Sequence, residues 1–253
     1  MQSALRIVLL LGAAYALACL VLFLLQRSLL YYPQPRRLGT DATVMKLAVA
    51  DAELLVSTRP ATGPEAVIYF GGNGEDVSGS VPDLAAAFPA HALYALHYRG
   101  YGGSSGKPSQ DALFADALAL FDKVHASHPH VTVVGRSLGS GVAVHLASVR
   151  PAERLVLVTP YDSIAGIAAA RFPYFPVRFL LRDRYESFRY APQIKVPTTI
   201  ITAERDEVIP RASTSLLRTR FAPGIAHEVV IAARGHNTLQ EDPLYTQALS
   251  GRR

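Results

Sequence analysis

A mostly parallel α/β sheet with helices on both faces, preceded by one apolar helix, is the fold class predicted by three observations. From residue 66 to the C-terminal end, short β-favouring runs alternate with helix-period segments, as a chain of βαβ units requires. Runs such as Ala66-Val-Ile-Tyr-Phe70 and Val131-Thr-Val-Val134 are almost continuously apolar, the pattern of strands buried on both faces. Residues 7–25 carry no charge over nineteen positions. As a helix that stretch is about 28 Å long, close to the ~30 Å hydrocarbon core of a bilayer.

Taken in order, residues 1–30 read as an N-terminal membrane anchor, with a cleaved signal peptide as the alternative. The apolar run exceeds the ~7–15 residues usual in a signal peptide, and no clear small-residue cleavage site follows it. A bacterial inner membrane is the expected location. Arg6 before the helix and Arg27, Arg36 and Arg37 after it leave its sidedness open. Residues 31–253 form one α/β domain that begins with a Pro- and Arg-rich linker over 33–40. Strands over 44–49 and 54–58 are expected to pair antiparallel around a turn at Ala50-Asp51-Ala52. The strand over 66–70 ends in Gly71-Gly72-Asn73-Gly74, a glycine-rich exit that keeps backbone N–H groups clear of side chains. A helix over 77–88, a strand over 91–98, a loop, a helix over 111–126 and the strand at 131 follow. After a helix over 137–149 and a strand over 154–159, residues 161–193 break the alternation. This cap-like insertion carries five arginines and seven aromatics between Arg171 and Tyr190. It reads as the wall of an acyl pocket, as a contact to lipid headgroups, or as helix packed on the core with arginines reaching outward. Strands over 197–202 and 227–231 flank a helix over 212–221, and a last helix closes the chain.

The chemistry centres on Gly135-Arg136-Ser137-Leu138-Gly139, which stands where a strand runs directly into a helix. A sharp turn there lifts one hydroxyl off the sheet, and its flanking glycines let strand and helix backbones approach. A second Gly-x-Ser-x-Gly, around Ser104, is followed by Lys107-Pro108 and reads as a loop. A serine nucleophile needs a base in hydrogen-bond reach and a carboxylate that orients the base. The elbow predicts the chain order serine, acid, histidine, which Ser137, Asp206 and His236 follow, each acid/base group lying just after a predicted strand. Glu204 and Asp162 are alternative acids, and His97 and His145 alternative bases. The Leu138 N–H at the helix start and the Asn73 N–H in the glycine-rich loop are candidate oxyanion donors. Gly72, His97, Phe175 and Phe179 are candidate substrate contacts.

Tyr69-Phe-Gly-Gly-Asn-Gly, Tyr98-Arg-Gly-Tyr-Gly-Gly-Ser, Gly-Arg-Ser137-Leu-Gly, Thr159-Pro-Tyr-Asp-Ser-Ile, Glu204-Arg-Asp206-Glu-Val-Ile-Pro and Gly235-His236-Asn, behind an apolar N-terminus, together carry a resemblance. The chain resembles membrane-anchored α/β-hydrolase-fold serine hydrolases, the group related to protein depalmitoylases and lysophospholipase-like enzymes. The resemblance spans nearly the whole chain. It implies Ser137 as nucleophile, Asp206 as acid and His236 as base, with Asn73 and Leu138 as oxyanion donors. Where that group usually has His-Gly-Asn, this chain has Gly71-Gly72-Asn73, which predicts a looser oxyanion loop. Where it has Asp or Asn before Tyr98, this chain has His97.

Half of the 253 residues are hydrophobic, enough for a sizeable core, and the formal charge of +5 suits an anionic membrane surface. No zinc-finger spacing or long Lys/Arg run points to nucleic acid. There is no P-loop, no dinucleotide fingerprint and no His-Glu-x-x-His, and His125, His128 and His130 read as a solvated loop. No cofactor or metal is therefore expected. The single cysteine, Cys19, precludes an intrachain disulfide. The expected activity is hydrolysis of an ester or thioester, of lipid or acyl-protein type, through an acyl-serine. A serine peptidase or aminopeptidase on the same scaffold, or an inactive membrane-tethered binding protein, are the alternatives.

Overall fold

The computed structural model describes residues 1–36 and 43–251, so part of the predicted 33–40 linker lies outside the described residues. Eight strands make one sheet: β1 (Thr43–Val49), β2 (Ala52–Arg59), β3 (Glu65–Phe70), β4 (Ala92–Leu96), β5 (His130–Arg136), β6 (Arg154–Val158), β7 (Thr198–Ala203) and β8 (Ala226–Ile231). Their order is β1-β2-β4-β3-β5-β6-β7-β8. The β1–β2 and β2–β4 pairs are antiparallel, and all pairs from β4 to β8 are parallel. Side-chain alternation splits β3 between two cores. Ala66, Ile68 and Phe70 face one, Val67 and Tyr69 the other. That is why the run is apolar at every position.

The sheet order fixes where a site can form. The chain leaves β3 towards β4 on one side and leaves β5 towards β6 on the other. The loops after β3 and β5 therefore diverge and leave a crevice at the carboxyl ends of the strands.

Nine α-helices are described: α1 (Gln2–Leu30), α2 (Val81–Ala87), α3 (Gln110–His125), α4 (Leu138–Val149), α5 (Ile164–Arg171), α6 (Val177–Leu180), α7 (Ser187–Tyr190), α8 (Arg211–Arg218) and α9 (Pro243–Ser250). Leu113, Leu120 and Phe121 of α3 and Val142 and Leu146 of α4 fill one core, while Leu84 of α2 and Tyr245 and Leu249 of α9 fill the other. Each such buried Leu, Val or Phe side chain contributes about 1.5–3 kcal/mol of hydrophobic burial. The Ser109 hydroxyl caps α3 by accepting from Ala112 N at 3.3 Å. The helix expected over 77–88 is a 3-10 turn, Val77–Ser80, followed by α2. Pro82 has no N–H to give to the preceding turn, so it sits in the first turn of a new helix.

α1 is long and apolar enough to cross a membrane, and none of its residues is fully buried. Its half-buried positions, Ala18, Cys19, Leu22, Phe23, Gln26 and Leu30, recur at helical spacing and form one stripe. Polar contacts tie α1 to the insertion. Tyr15 Oη donates to Tyr174 O at 2.8 Å, Gln26 Oε1 accepts from Arg182 N at 2.7 Å, and Arg27 pairs with Asp183 at 2.9 Å. Just past the helix, Tyr31 is buried and its hydroxyl meets that of Tyr185 at 2.9 Å.

The loop after β4 is pinned from inside. Arg99 forms a two-pronged pair with the buried carboxylate of Asp116 on α3, both contacts at 2.8 Å, and also reaches Asp51. Removing the guanidinium strands an unpaired buried charge, which costs about 3–5 kcal/mol. Arg99→Met is therefore expected to lower unfolding stability by about that much in urea titrations; a loss under about 1 kcal/mol would mean that Asp116 is neutralised without its partner.

Candidate active site

Ser137 sits between β5 and α4 with φ 48° and ψ −116°, a backbone conformation that costs of order 1–3 kcal/mol for a non-glycine residue. The surroundings hold it there. Its N–H donates to Val158 O on β6 at 2.9 Å, and its carbonyl accepts from both the N–H and the hydroxyl of Ser140. The neighbouring glycines are steric necessities. A Cβ on Gly135 would come to 2.5 Å from Gly139 O, and one on Gly139 would collide with the carbonyls of Phe70 and Gly71 at the end of β3.

Two loops bring the acid and base candidates to this serine. His236, in the loop after β8, is 4% exposed. Its Nε2 lies 3.1 Å from Ser137 Oγ, and its Nδ1 lies 3.0 Å from each carboxylate oxygen of Asp206, in the loop after β7. The His236 N–H donates to Glu207 Oε2 at 3.0 Å, which fixes the histidine backbone. Asp206 Oδ1 also accepts from the N–H groups of Val208 and Ile209. Burial pushes the Asp206 carboxyl up, but the hydrogen bond from His236 and those two backbone donors outweigh it, leaving the carboxyl below its ordinary range.

The rival candidates are engaged elsewhere. Glu204 accepts from Ala233 N at 2.7 Å, and Asp162 joins Ser213 to Ser163, so both brace loops. His145 is stacked on Phe114 with ring centroids 4.0 Å apart, edge-on to Tyr190. His97 is taken up by β2: its Nε2 meets Ser57 Oγ at 2.8 Å, and burial depresses its pKa to about 4. The ring fills the space beside Gly102, where any Cβ would strike it. The structure thus sets His97 in the core rather than on a substrate wall. Ser104, of the second Gly-x-Ser-x-Gly, is also structural, joining His97 O to Leu55 N. Of the other expected substrate contacts, Gly72 lies beside Ser137: a Cβ there would be 3.5 Å from that of the serine. Phe175 stacks on Tyr15 of α1 with centroids 5.9 Å apart, whereas Phe179 is 90% exposed and walls nothing. α6 is one turn long and has no fully buried residue; Val177 and Leu180 are its half-buried positions. His128 bonds Tyr94 and Gly63 O, and His130 pairs with Glu153.

The glycine-rich loop is held more firmly than its sequence suggests, by residues that no motif singles out. Gly71 O accepts from Tyr98 Oη at 2.8 Å. Gly72 N donates to Glu75 Oε2 at 2.6 Å, which withdraws that N–H from other uses. Glu75 is in turn paired with Arg136 at 2.9 Å and receives the hydroxyls of Tyr69 and Ser80. Arg136 continues to Asn237 Oδ1 at 2.8 Å, joining the loop to the histidine segment. The Asn73 side chain donates to Leu30 O at 2.6 Å and accepts from Tyr32 N and Tyr101 Oη. Among the described residues no group accepts from the Asn73 backbone N–H, and the Leu138 N–H lies in the open first turn of α4. The glycine at position 71 does not loosen the loop, because Glu75 and Val77 occupy the space a larger side chain would need. The sequence signal was the variable arginine inside the serine motif and a glutamate four residues after Gly71. Neither is distinctive without the fold.

A profile of the family described as "alpha/beta hydrolase fold" matches residues 66–184. An uncharacterized protein of Mycobacterium tuberculosis is 32% identical over 232 residues, spanning 84% of this chain and 80% of the relative. Lysophosphatidylserine lipase ABHD12 of Xenopus tropicalis is 29% identical over 174 residues, 59% of this chain and 45% of that one. Among solved structures, Pyrococcus furiosus esterase Pf2001 superposes with a TM-score of 0.69 at 18% identity, covering 87% of this chain and 97% of the esterase.

The depressed carboxyl of Asp206 has a measurable consequence. Its stabilising contribution is complete above the unfolded carboxylate pKa of ~3.9 and is lost as pH falls through the lower folded value. The stability gap between wild type and Asp206→Asn in denaturant is expected to hold steady near neutrality and to shrink below about pH 4; widening in acid would contradict the assigned direction.

Proposed function

Because the chain belongs to the alpha/beta hydrolase fold family, we propose that it is a serine hydrolase that cleaves carboxylic ester or thioester bonds of acyl substrates at a membrane. The observation that carries this reading is the unbroken line from Ser137 Oγ through His236 to Asp206, at 3.1 and 3.0 Å, on a strained turn that a serine would otherwise avoid. The esterase among the structural neighbours and the lipase among the relatives favour ester chemistry.

On this reading His236 Nε2 takes the Ser137 proton as Oγ bonds to the acyl carbon. Asp206 keeps the other ring N–H in place and stabilises the imidazolium. Negative charge gathers on the acyl oxygen, facing the N–H groups of Leu138 and Asn73; each such donor is worth about 2.7–4 kcal/mol of barrier. Collapse expels the alcohol or thiol, which leaves with the proton from His236. Water, deprotonated by the same imidazole, then releases the acid from the acyl-serine. No step needs a metal or a cofactor. α1 serves as the anchor, placing the domain beside its substrates.

The detergent-solubilised full-length protein is expected to take up a fluorophosphonate probe and to hydrolyse p-nitrophenyl octanoate. Ser137→Ala should lose the label and should lose turnover by about 10⁶-fold, and Asp206→Asn should lose turnover by about 10⁴-fold. Undiminished labelling of Ser137→Ala would move the nucleophile elsewhere and end the proposal.

A further inference from the structure

α1 does more than stand beside the domain: it forms one wall of a cavity. Between its C-terminal half and the insertion lies a space of about 290 Å³, near the small end of the ~300–1,000 Å³ typical of small-molecule sites. Leu22, Phe23 and Leu29 line it from α1, and Ile164, Phe172 and Phe175 from the insertion. No charged side chain lines it, and the amide of Gln26, its most polar group, is spent on Phe23 O, Leu180 O and Arg182 N. An apolar cavity of this kind repels water and headgroups alike and accepts a hydrocarbon. We propose that it binds one acyl chain of a bilayer lipid, admitted sideways from the membrane and led to the loop beside Ser137. The proposal deepens the hydrolase reading above and rests on it for the chain's destination.

Depth supports the occupant. Tyr15 of α1 bonds Tyr174 and stacks on Phe175, although it lies in the middle of the uncharged 7–25 run. If that run spans the hydrocarbon, the insertion accompanies the helix from residue 15 to residue 25, about 15 Å into the apolar layer. The exposed aromatics of the insertion suit that depth: Phe172, Tyr174 and Phe179 are 52%, 85% and 90% exposed. Such a patch is costly in water and at home in lipid. Arg171 and Arg178 flank these aromatics, exposed and in no ion pair among the described residues, and at that depth their long stems would carry the guanidinium groups back towards the headgroups. Continuity supports the destination. Leu30 and Tyr32 line the cavity, and the same two residues hold the Asn73 side chain, next in sequence to Gly72, where a Cβ would lie 3.5 Å from that of Ser137.

Ala168 lines the cavity from α5, so Ala168→Trp fills it; Leu22→Trp fills it from α1 and serves as the second variant. In full-length protein, the ratio of kcat/KM for p-nitrophenyl octanoate to that for the acetate is expected to fall at least about tenfold in either variant, since loss of a few buried methylenes exceeds that factor. A ratio within about twofold of wild type in both would overturn the proposal. A second arm does not depend on turnover. Full-length Ser137→Ala is reconstituted in phosphatidylcholine vesicles containing a phosphatidylcholine with a diazirine at its acyl terminus, then irradiated. Crosslinks on residues 164–181 that disappear with Ala168→Trp support the site. Crosslinks confined to the outer face of α1, or undiminished by the tryptophan, refute it. Failure of fluorophosphonate labelling in wild type would instead remove the hydrolase reading, leaving the crosslinks to decide the cavity.

Discussion

Where the turn after β5 meets the end of β3, two backbones come closer than side chains permit. Gly139 opens α4 directly against the carbonyls of Phe70 and Gly71, and Gly135 lies under the same helix. This contact presses the turn into the left-handed conformation of Ser137 and sets the first N–H groups of α4 opposite the glycine-rich loop. The strain is offset by ordinary means: a buried helix with Val142, Val144 and Leu146 in the core, and the bond from Ser137 N to β6. Everything else in the site is placed relative to that junction. The β7 and β8 loops need only bring Asp206 and His236 to the same edge of the sheet, which parallel strands do automatically.

The opposing loop has no regular structure and is held by side chains instead. Tyr98 takes Gly71, Glu75 takes Gly72, and the end of α1 with Tyr101 takes Asn73. Hydrogen bonds to a charged partner, as at Glu75, are worth about 1.5–3 kcal/mol each, comparable with the strain across the crevice. Arg136 ties this clamp to the histidine loop, so the motif's variable position joins the two sides of the site.

Much of this was legible beforehand, for definite reasons. Strands buried on both faces leave uninterrupted apolar runs, and β3 to β8 stand within a few residues of where those runs placed them. Ser137, Asp206 and His236 stood out because each follows such a strand. What the sequence hides depends on register and on tertiary partners. His97 is free by sequence alone, but Ser57 of β2 claims its ring. Phe179 belongs to a single helical turn, too short for periodicity to tell inside from outside. Glu75 resembled any loop acid, and Gln26 and Arg27 resembled the polar flank of an apolar segment although they dock on the insertion. Pro82 divides one expected helix into two pieces.

Among the described residues, the Arg27–Asp183 pair, the Gln26–Arg182 bond and the Tyr31–Tyr185 pair tie the end of α1 to the insertion. Placed in a bilayer as proposed, a domain tied to its anchor in this way would be held close to the membrane surface. It would not reach far into solution or across to the far leaflet. Its search for substrate would be two-dimensional, and molecules on the opposite leaflet would have to flip before they could be consumed. Its kinetics would then follow mole fraction in one monolayer rather than concentration in bulk.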